Sequence, residues 1–94
     1  MEQKDLPLIS IIIPNWNGAH HLPICLGALR CQTYPRFEVI VVDNGSRDGS
    51  LALLEQDYPE VKVVALAQNL GFAGGVNAGI RQAEGEIIAL LNND

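Results

Sequence analysis

A chain of 94 residues is enough for one small domain and not for two. Its 48% hydrophobic content supplies a globular core, yet no apolar run approaches the roughly 18 residues of a membrane span. A net charge of −5 with no cluster of Lys and Arg excludes a protein built to bind nucleic-acid phosphates.

Residues 1–7, MEQKDLP, form a polar N-terminal tail without a hydrophobic signal segment. Leu8 to Ile13 is apolar on both faces and predicts a first strand, ended by Pro14. Asn15, Trp16, Asn17 and Gly18 follow as a loop. From Ala19 to Gln32 the pattern turns helical, with Leu22, Cys25, Leu26 and Leu29 on one stripe. Pro23 fits only in the first turn, where its missing N–H has no partner in any case. Cys25 and Cys31 are the only cysteines and fall on different faces of this helix. They read as unpaired thiols of a reducing compartment, and a cytoplasmic location is expected.

Phe37 to Val42 predicts the second strand, with Val39, Ile40, Val41 and Val42 as an unbroken β-branched run. A strand apolar at every position is buried on both faces, the habit of parallel sheets covered by helices. It ends on Asp43, Asn44, Gly45 and Ser46. Ser46 or Asp48 then caps a short helix to Asp57, with Leu51, Leu54 and Tyr58 inward and Pro59 as the stop. Val61 to Ala67 is a third strand whose Lys62 points to a sheet edge. The glycine-rich stretch Gln68 to Gly75 opens a third helix from Ala73 to Glu84. Val76, Ile80 and Ala83 line its core face, and Gly85 is positioned as a left-handed C-terminal cap. Glu86 to Leu91 is the fourth strand, followed by Asn92, Asn93 and Asp94.

The order β-α-β-α-β-α-β with short connections predicts an α/β fold. It is Rossmann-like, three layers α/β/α, with a mostly parallel four-stranded sheet. In such sheets ligands bind beyond the carboxyl ends of the strands. Four loops then share one rim and carry Pro14, Trp16 and Asn17; Asp43, Asn44 and Ser46; Asn69 and Gly71; and Asn92 to Asp94. Each loop alone is ordinary turn chemistry. Jointly they offer an aromatic ring, a carboxylate, amides, a helix start behind glycines and a second carboxylate, an inventory suited to a nucleoside diphosphate. Asp43 can accept from a pyrimidine imide or a ribose hydroxyl, and Trp16 can pack on a base or on the protein surface. A carboxylate beside a diphosphate is useful through a bridging cation, so Asp94 reads as a ligand for Mg²⁺ or Mn²⁺. Adjacent His20 and His21 lack a metal spacing, and Arg47 and Arg81 read as solvated surface.

The segments ISIIIPNWNG, LRCQTYPRFEVIVVDNGSRDGS and NLGFAGGVNAGIRQAEGEIIALLNND resemble family 2 glycosyltransferases, nucleotide-sugar enzymes of the GT-A fold. NLGFAGG and LLNND are most similar to the subset assigned as rhamnosyltransferases. The resemblance implies transfer of a sugar, rhamnose among the candidates, from a dTDP- or UDP-sugar to an acceptor hydroxyl. It makes Pro14, Trp16 and Asp43 contacts for base and ribose, and it brings Asn69 and Asn77 near the nucleotide sugar. With the rim residues Asn17, Asn44 and Gly71 these complete the expected donor site. Asp94 matches the last acid of the family's D-x-D motif, where Asn92 replaces the first acid with a neutral donor. Trp16 stands where Tyr is more common, and Asn44 where a second Asp is common.

The family extends well past this length. Residues 8–94 are therefore expected to be the donor-binding portion of a GT-A domain, ending at the D-x-D-like motif. A catalytic base and the site for a saccharide or lipid-linked acceptor are expected beyond Asp94, on a parent enzyme at the cytoplasmic membrane face. The chain alone is expected to be inactive and to self-associate through the uncovered edge of its fourth strand. Two other classes compete: a dinucleotide-binding oxidoreductase module, although GFAGG is not G-x-G-x-x-G, and a folded unit without ligand.

Overall fold

A computed structural model describes residues 5–93. Seven elements alternate: β1 (Ile9–Asn15), α1 (Leu22–Arg30), β2 (Phe37–Asn44), α2 (Ser50–Asp57), β3 (Lys62–Leu66), α3 (Gly71–Gln82) and β4 (Ile87–Leu90). The strands form one sheet in the order β3-β2-β1-β4, and every neighbouring pair is parallel. The α/β fold expected from the alternation is the fold observed.

Side chains alternate across the two central strands, and each set finds its own helices. Ile13, Val39 and Val41 pack with Leu22, Leu26 and Leu29 of α1 and with Leu54 and Tyr58 around α2. Ile12, Ile40 and Val42 pack on the other face with Ala78 of α3 and with Val64, Leu66 and Ala83. This explains the unbroken apolar run of β2. Val39 to Val42 serve both cores and are all buried, each contributing about 1.5–3 kcal/mol relative to exposure.

Several boundaries differ from those predicted, each for a physical reason. β1 runs through Pro14 to Asn15, in register with Val42 and Asp43. Leu91 N–H donates to the Ile12 carbonyl at 3.0 Å, so residues 10, 12 and 14 turn their backbone polar groups toward β4. β4 pairs no further than Ile12 with Leu90, and Pro14 therefore forfeits no ladder hydrogen bond. α1 begins at Leu22 because residues 19–21 form a turn in which Leu22 N–H bonds the Gly18 carbonyl at 3.1 Å. Pro23 lies in the first turn, as its chemistry requires. Gly49, at φ 90°, is the N-cap position of α2, while the adjacent Asp48 carboxylate accepts from Ser50 N–H at 3.1 Å.

Gly85 is not a left-handed cap. Helix α3 stops at Gln82, and the next residue, Ala83, is extended at ψ 137°. Glycine is required at 85 because a Cβ there would stand 2.5 Å from Ser10 Oγ and 2.7 Å from the Leu8 carbonyl. That close approach belongs to a partly buried staple at the amino edge of the sheet. Gly85 N–H donates to Ser10 Oγ at 2.8 Å, and Ser10 Oγ and Glu84 N–H both donate to Glu38 Oε2, at 2.5 and 2.7 Å. Lys62, on edge strand β3 as expected, lies 3.3 Å from Glu38 Oε1.

β4 is the other edge. Ile87, Ile88, Leu90 and Leu91 are all exposed. Cys25 is half-buried and Cys31 exposed, both as free thiols, and burial pushes the Cys25 thiol pKa up. Among the described residues no helix is long and apolar enough to cross a membrane.

Candidate functional site

The parallel arrangement carries the ends of β1, β2, β3 and β4 to one rim, as the strand alternation requires. There the chain encloses an open hollow of about 330 Å³. β1 contributes Pro14 and Asn15 to its wall, the loop after it Trp16, and β2 contributes Asn44. Asn69, Gly71 and Phe72 come from the start of α3, with Asn92 and Asn93 from the segment after β4. Two large rings stand in solvent at this wall, Trp16 at 59% and Phe72 at 61% exposure. The described lining holds amides, rings and backbone, with no charged side chain.

Below the rim is a hydrogen-bonded floor. Asp43 is fully buried, and its Oδ1 accepts from Asn15 Nδ2 at 3.0 Å while Oδ2 accepts from Ser46 N–H at 3.0 Å. Asn15 is in register with Asp43, which is why the two side chains meet. Asn17, at φ 50°, ties the β1 loop to the β2 loop. Its N–H donates to Ser46 Oγ at 2.8 Å, and its Oδ1 accepts from Arg47 N–H at 2.9 Å. Asp48 adds a further tie by accepting from Ala19 N–H at 3.0 Å. Burial opposes ionisation of Asp48, but the Ser50 hydroxyl and the Ala19 and Ser50 N–H groups prevail and hold its pKa below the ordinary value.

The glycine-rich loop is fixed from below by Asn44. Asn44 Oδ1 accepts from Leu70 N–H at 2.8 Å, and Nδ2 donates to the Gly71 carbonyl at 3.0 Å. Asn69 closes the turn into α3 through Gly71 N–H, 2.7 Å from its Oδ1. Gly45, at φ 79°, allows the β2 loop to pass beneath this segment. A Cβ there would stand 2.9 Å from Asn69 N and from Gln68 backbone atoms.

The structure therefore gathers Pro14, Trp16, Asn44, Asn69, Gly71 and Asn92 around one hollow, with Asp43 and Asn17 in its support. Asn77 is exposed on α3 and is absent from the lining. Asp94 lies outside the described residues. Sequence reasoning missed Asn15 and Phe72, while Asn93 lies within the expected rim loop from Asn92 to Asp94. A bulky ring between glycines was a signal for Phe72. Asn15 looked like a turn residue, and nothing local distinguished it.

No group of three or more His, Cys, Asp or Glu is placed to hold a metal ion among the described residues. Asn92 offers a neutral oxygen at the hollow, a donor type that hard divalent cations accept alongside carboxylates and phosphate oxygens. A second hollow of about 350 Å³ lies at the opposite end of β2, beside Phe37, Glu38, Arg30 and Glu60. It shares no residue with the rim.

The family model described as glycosyl transferase family 2 matches residues 10–94. The chain belongs to this family. It is 39% identical to glycosyltransferase AglE of Haloferax volcanii over 94 residues, 95% of this chain and 31% of that protein. Among solved structures it is similar to the mannosyltransferase PcManGT of Pyrobaculum calidifontis in complex with GDP-Man and Mn²⁺. The TM-score there is 0.84 at 28% identity, over 99% of this chain and 29% of that one. It is also similar to S. aureus TarS in complex with UDP-GlcNAc, with a TM-score of 0.85 at 33% identity, over 93% of this chain and 26% of that one. The chain thus spans about a third or less of the length of these relatives.

Proposed function

We propose that this chain is the donor-binding part of a family 2 glycosyltransferase and holds a pyrimidine nucleoside-diphosphate sugar along the carboxyl rim. A dTDP- or UDP-sugar fits the reading, with rhamnose among the sugars, and the sugar passes to a hydroxyl of a saccharide or lipid-linked acceptor. The observation that carries this is convergence. Loops from four strands meet at one hollow whose wall combines exposed rings with amide donors and acceptors. Complexes of similar proteins with UDP-GlcNAc and with GDP-Man support a nucleotide-sugar donor, and the first of them carries a pyrimidine base.

In this reading the Trp16 ring packs on the base and the amides of Asn69 and Asn92 face the polar part of the donor. Asn17, Asn44 and Gly71 shape the loops around it, and Asn77 lies further out on α3. Asp43 takes two protein hydrogen bonds of the roughly four a carboxylate can accept, but it is fully buried below the lining, so in this reading it meets an imide or ribose donor only once the loop above it moves aside. A diphosphate adds negative charge to a chain already at −5, and the described lining carries no cation. Mg²⁺ or Mn²⁺ held by Asp94 and Asn92 would offset that charge and stabilise the leaving diphosphate. The Mn²⁺ in the PcManGT complex supports this choice.

Transfer also needs a base to take the proton of the acceptor hydroxyl. We assign none within residues 8–94, so the chain alone is proposed to bind donor without turnover. We propose a cytoplasmic parent enzyme working at the membrane face. The bare edge of β4, with its exposed Ile88 and Leu90, is proposed to pair with a second copy of the chain.

Fluorescence of Trp16, the single tryptophan, tests donor binding directly. UDP or dTDP with Mn²⁺ is expected to change its emission saturably, with NAD and no metal inert. Emission unmoved by either nucleotide at millimolar concentration, or moved equally by NAD, would overturn the reading.

A further inference from the structure

We propose that Asn15 is a positioning residue whose side-chain amide clasps the segment after β4 and sets where Asn92 stands in the hollow. The inference rests on the donor-site reading above and adds to it a residue outside the expected site.

Among the described residues, backbone pairing between β1 and the chain leaving β4 ends at Leu91, whose N–H to the Ile12 carbonyl is the last backbone hydrogen bond between them. The next β1 residue facing that way is Pro14, which has no N–H to donate and whose carbonyl accepts no backbone bond from this segment among the described residues. A side chain holds the following segment instead. Asn93 Nδ2 donates to Asn15 Oδ1 at 2.6 Å.

The polarity of that clasp is dictated from below. Asn15 is only 1% exposed, and its Nδ2 stands 3.0 Å from Asp43 Oδ1 and 3.4 Å from Ser46 Oγ. Asp43 Oδ1 accepts from Asn15 Nδ2 while its other oxygen accepts from Ser46 N–H, so the NH₂ end of Asn15 faces the carboxylate. The Asn15 carbonyl oxygen is thereby left pointing at the segment after β4, where it demands a donor. Gly18 makes room for the pair. A Cβ on Gly18 would stand 2.5 Å from Asn15 Oδ1 and 2.7 Å from Asn93 Nδ2. Asp43, Asn15 and Asn93 thus form a directed chain from the floor to the β4 exit. Asn92, the next residue back, lines the hollow beside them.

The test uses the 94-residue chain with UDP and Mn²⁺ as probe, by titration calorimetry, on Asn93→Ala, Gly18→Ala and the double variant. Both single changes break the clasp while sparing the bond between Asn15 and Asp43. Far-UV circular dichroism checks that each variant is folded. Each single variant is expected to bind UDP with Mn²⁺ about tenfold more weakly, about 1.4 kcal/mol. The double variant is expected to be no weaker than the weaker single one, because both act through one contact. Amide hydrogen exchange at Asn92 is expected to speed up in all three. Wild-type affinity and exchange in Asn93→Ala, or losses that multiply in the double variant, would overturn the clasp while leaving the donor site standing. A wild-type chain that binds no UDP with Mn²⁺ would overturn the donor-site reading and this inference with it.

Discussion

Replacing Asn44 with alanine tests whether one buried amide fastens the glycine-rich loop to the sheet. The side chain makes two hydrogen bonds, with Leu70 N–H at 2.8 Å and the Gly71 carbonyl at 3.0 Å. Each contributes about 0.5–1.5 kcal/mol net, so losing both costs about 1–3 kcal/mol. Leu70 and Gly71 are exposed, and water reaching their backbone groups shifts the expected cost toward the lower half of that range. In a chain of this size about 1 kcal/mol moves Tm by about 4–8 °C, so a fall of roughly 4–16 °C is expected. Urea and thermal unfolding followed by far-UV circular dichroism would read it. Asn44→Asp sharpens the test: a carboxylate still accepts from Leu70 N–H but turns an acceptor toward the Gly71 carbonyl. It is expected to be at least as destabilising as alanine. An Asn44→Ala protein within about 0.3 kcal/mol of wild type, or an Asn44→Asp protein as stable as wild type, would refute the reasoning.

Further expectations follow from other contacts. Burial alone would raise the pKa of Glu38, but the Ser10 hydroxyl, the Glu84 N–H and Lys62 outweigh it and lower the value below that of an ordinary glutamate. A lowered folded-state pKa gives stability that is complete above the unfolded value, about 4.3, and is lost as pH falls through the folded one. Tm measured against pH should therefore drop below about pH 4, and Glu38→Gln should flatten that drop; an unchanged acid slope would contradict this assignment. Gly45→Ala forces a side chain onto φ 79° against the backbone of Gln68 and Asn69. It is expected to cost about 1–3 kcal/mol from the dihedral alone, and a denaturation midpoint equal to wild type would dismiss the close approach. Sedimentation at high concentration should show self-association that Ile88→Lys abolishes, whereas a monomeric wild type would dismiss pairing through β4.

The sheet was legible because its signals are local. Val39 to Val42 announce burial on both faces without reference to any other segment, and the alternation of strands and helices implies parallel pairing. The rim followed from the sheet, which is why Trp16, Asn44, Asn69 and Asn92 could be grouped before their contacts were known. What stayed hidden depends on register. Pro14 reads as a strand terminator until β4 is seen to stop pairing at Leu90. Gly85 has the spacing of a helix cap, yet its true constraint is Ser10, far away in sequence. Asn15 is a turn residue by composition and a buried one by its pairing with Asp43. Asp43 was legible as a special position, but the turning of its carboxylate inward to Asn15 and Ser46 was not.

A two-dimensional ¹H–¹⁵N titration of the chain with UDP and Mg²⁺ addresses the shared rim most directly. Shifts are expected at the Trp16 indole and at Asn44, Asn69, Gly71 and Asn92, with Arg30, Phe37 and Glu60 at the opposite end of β2 unmoved. Shifts centred on that opposite hollow, or none at millimolar UDP, would contradict the account.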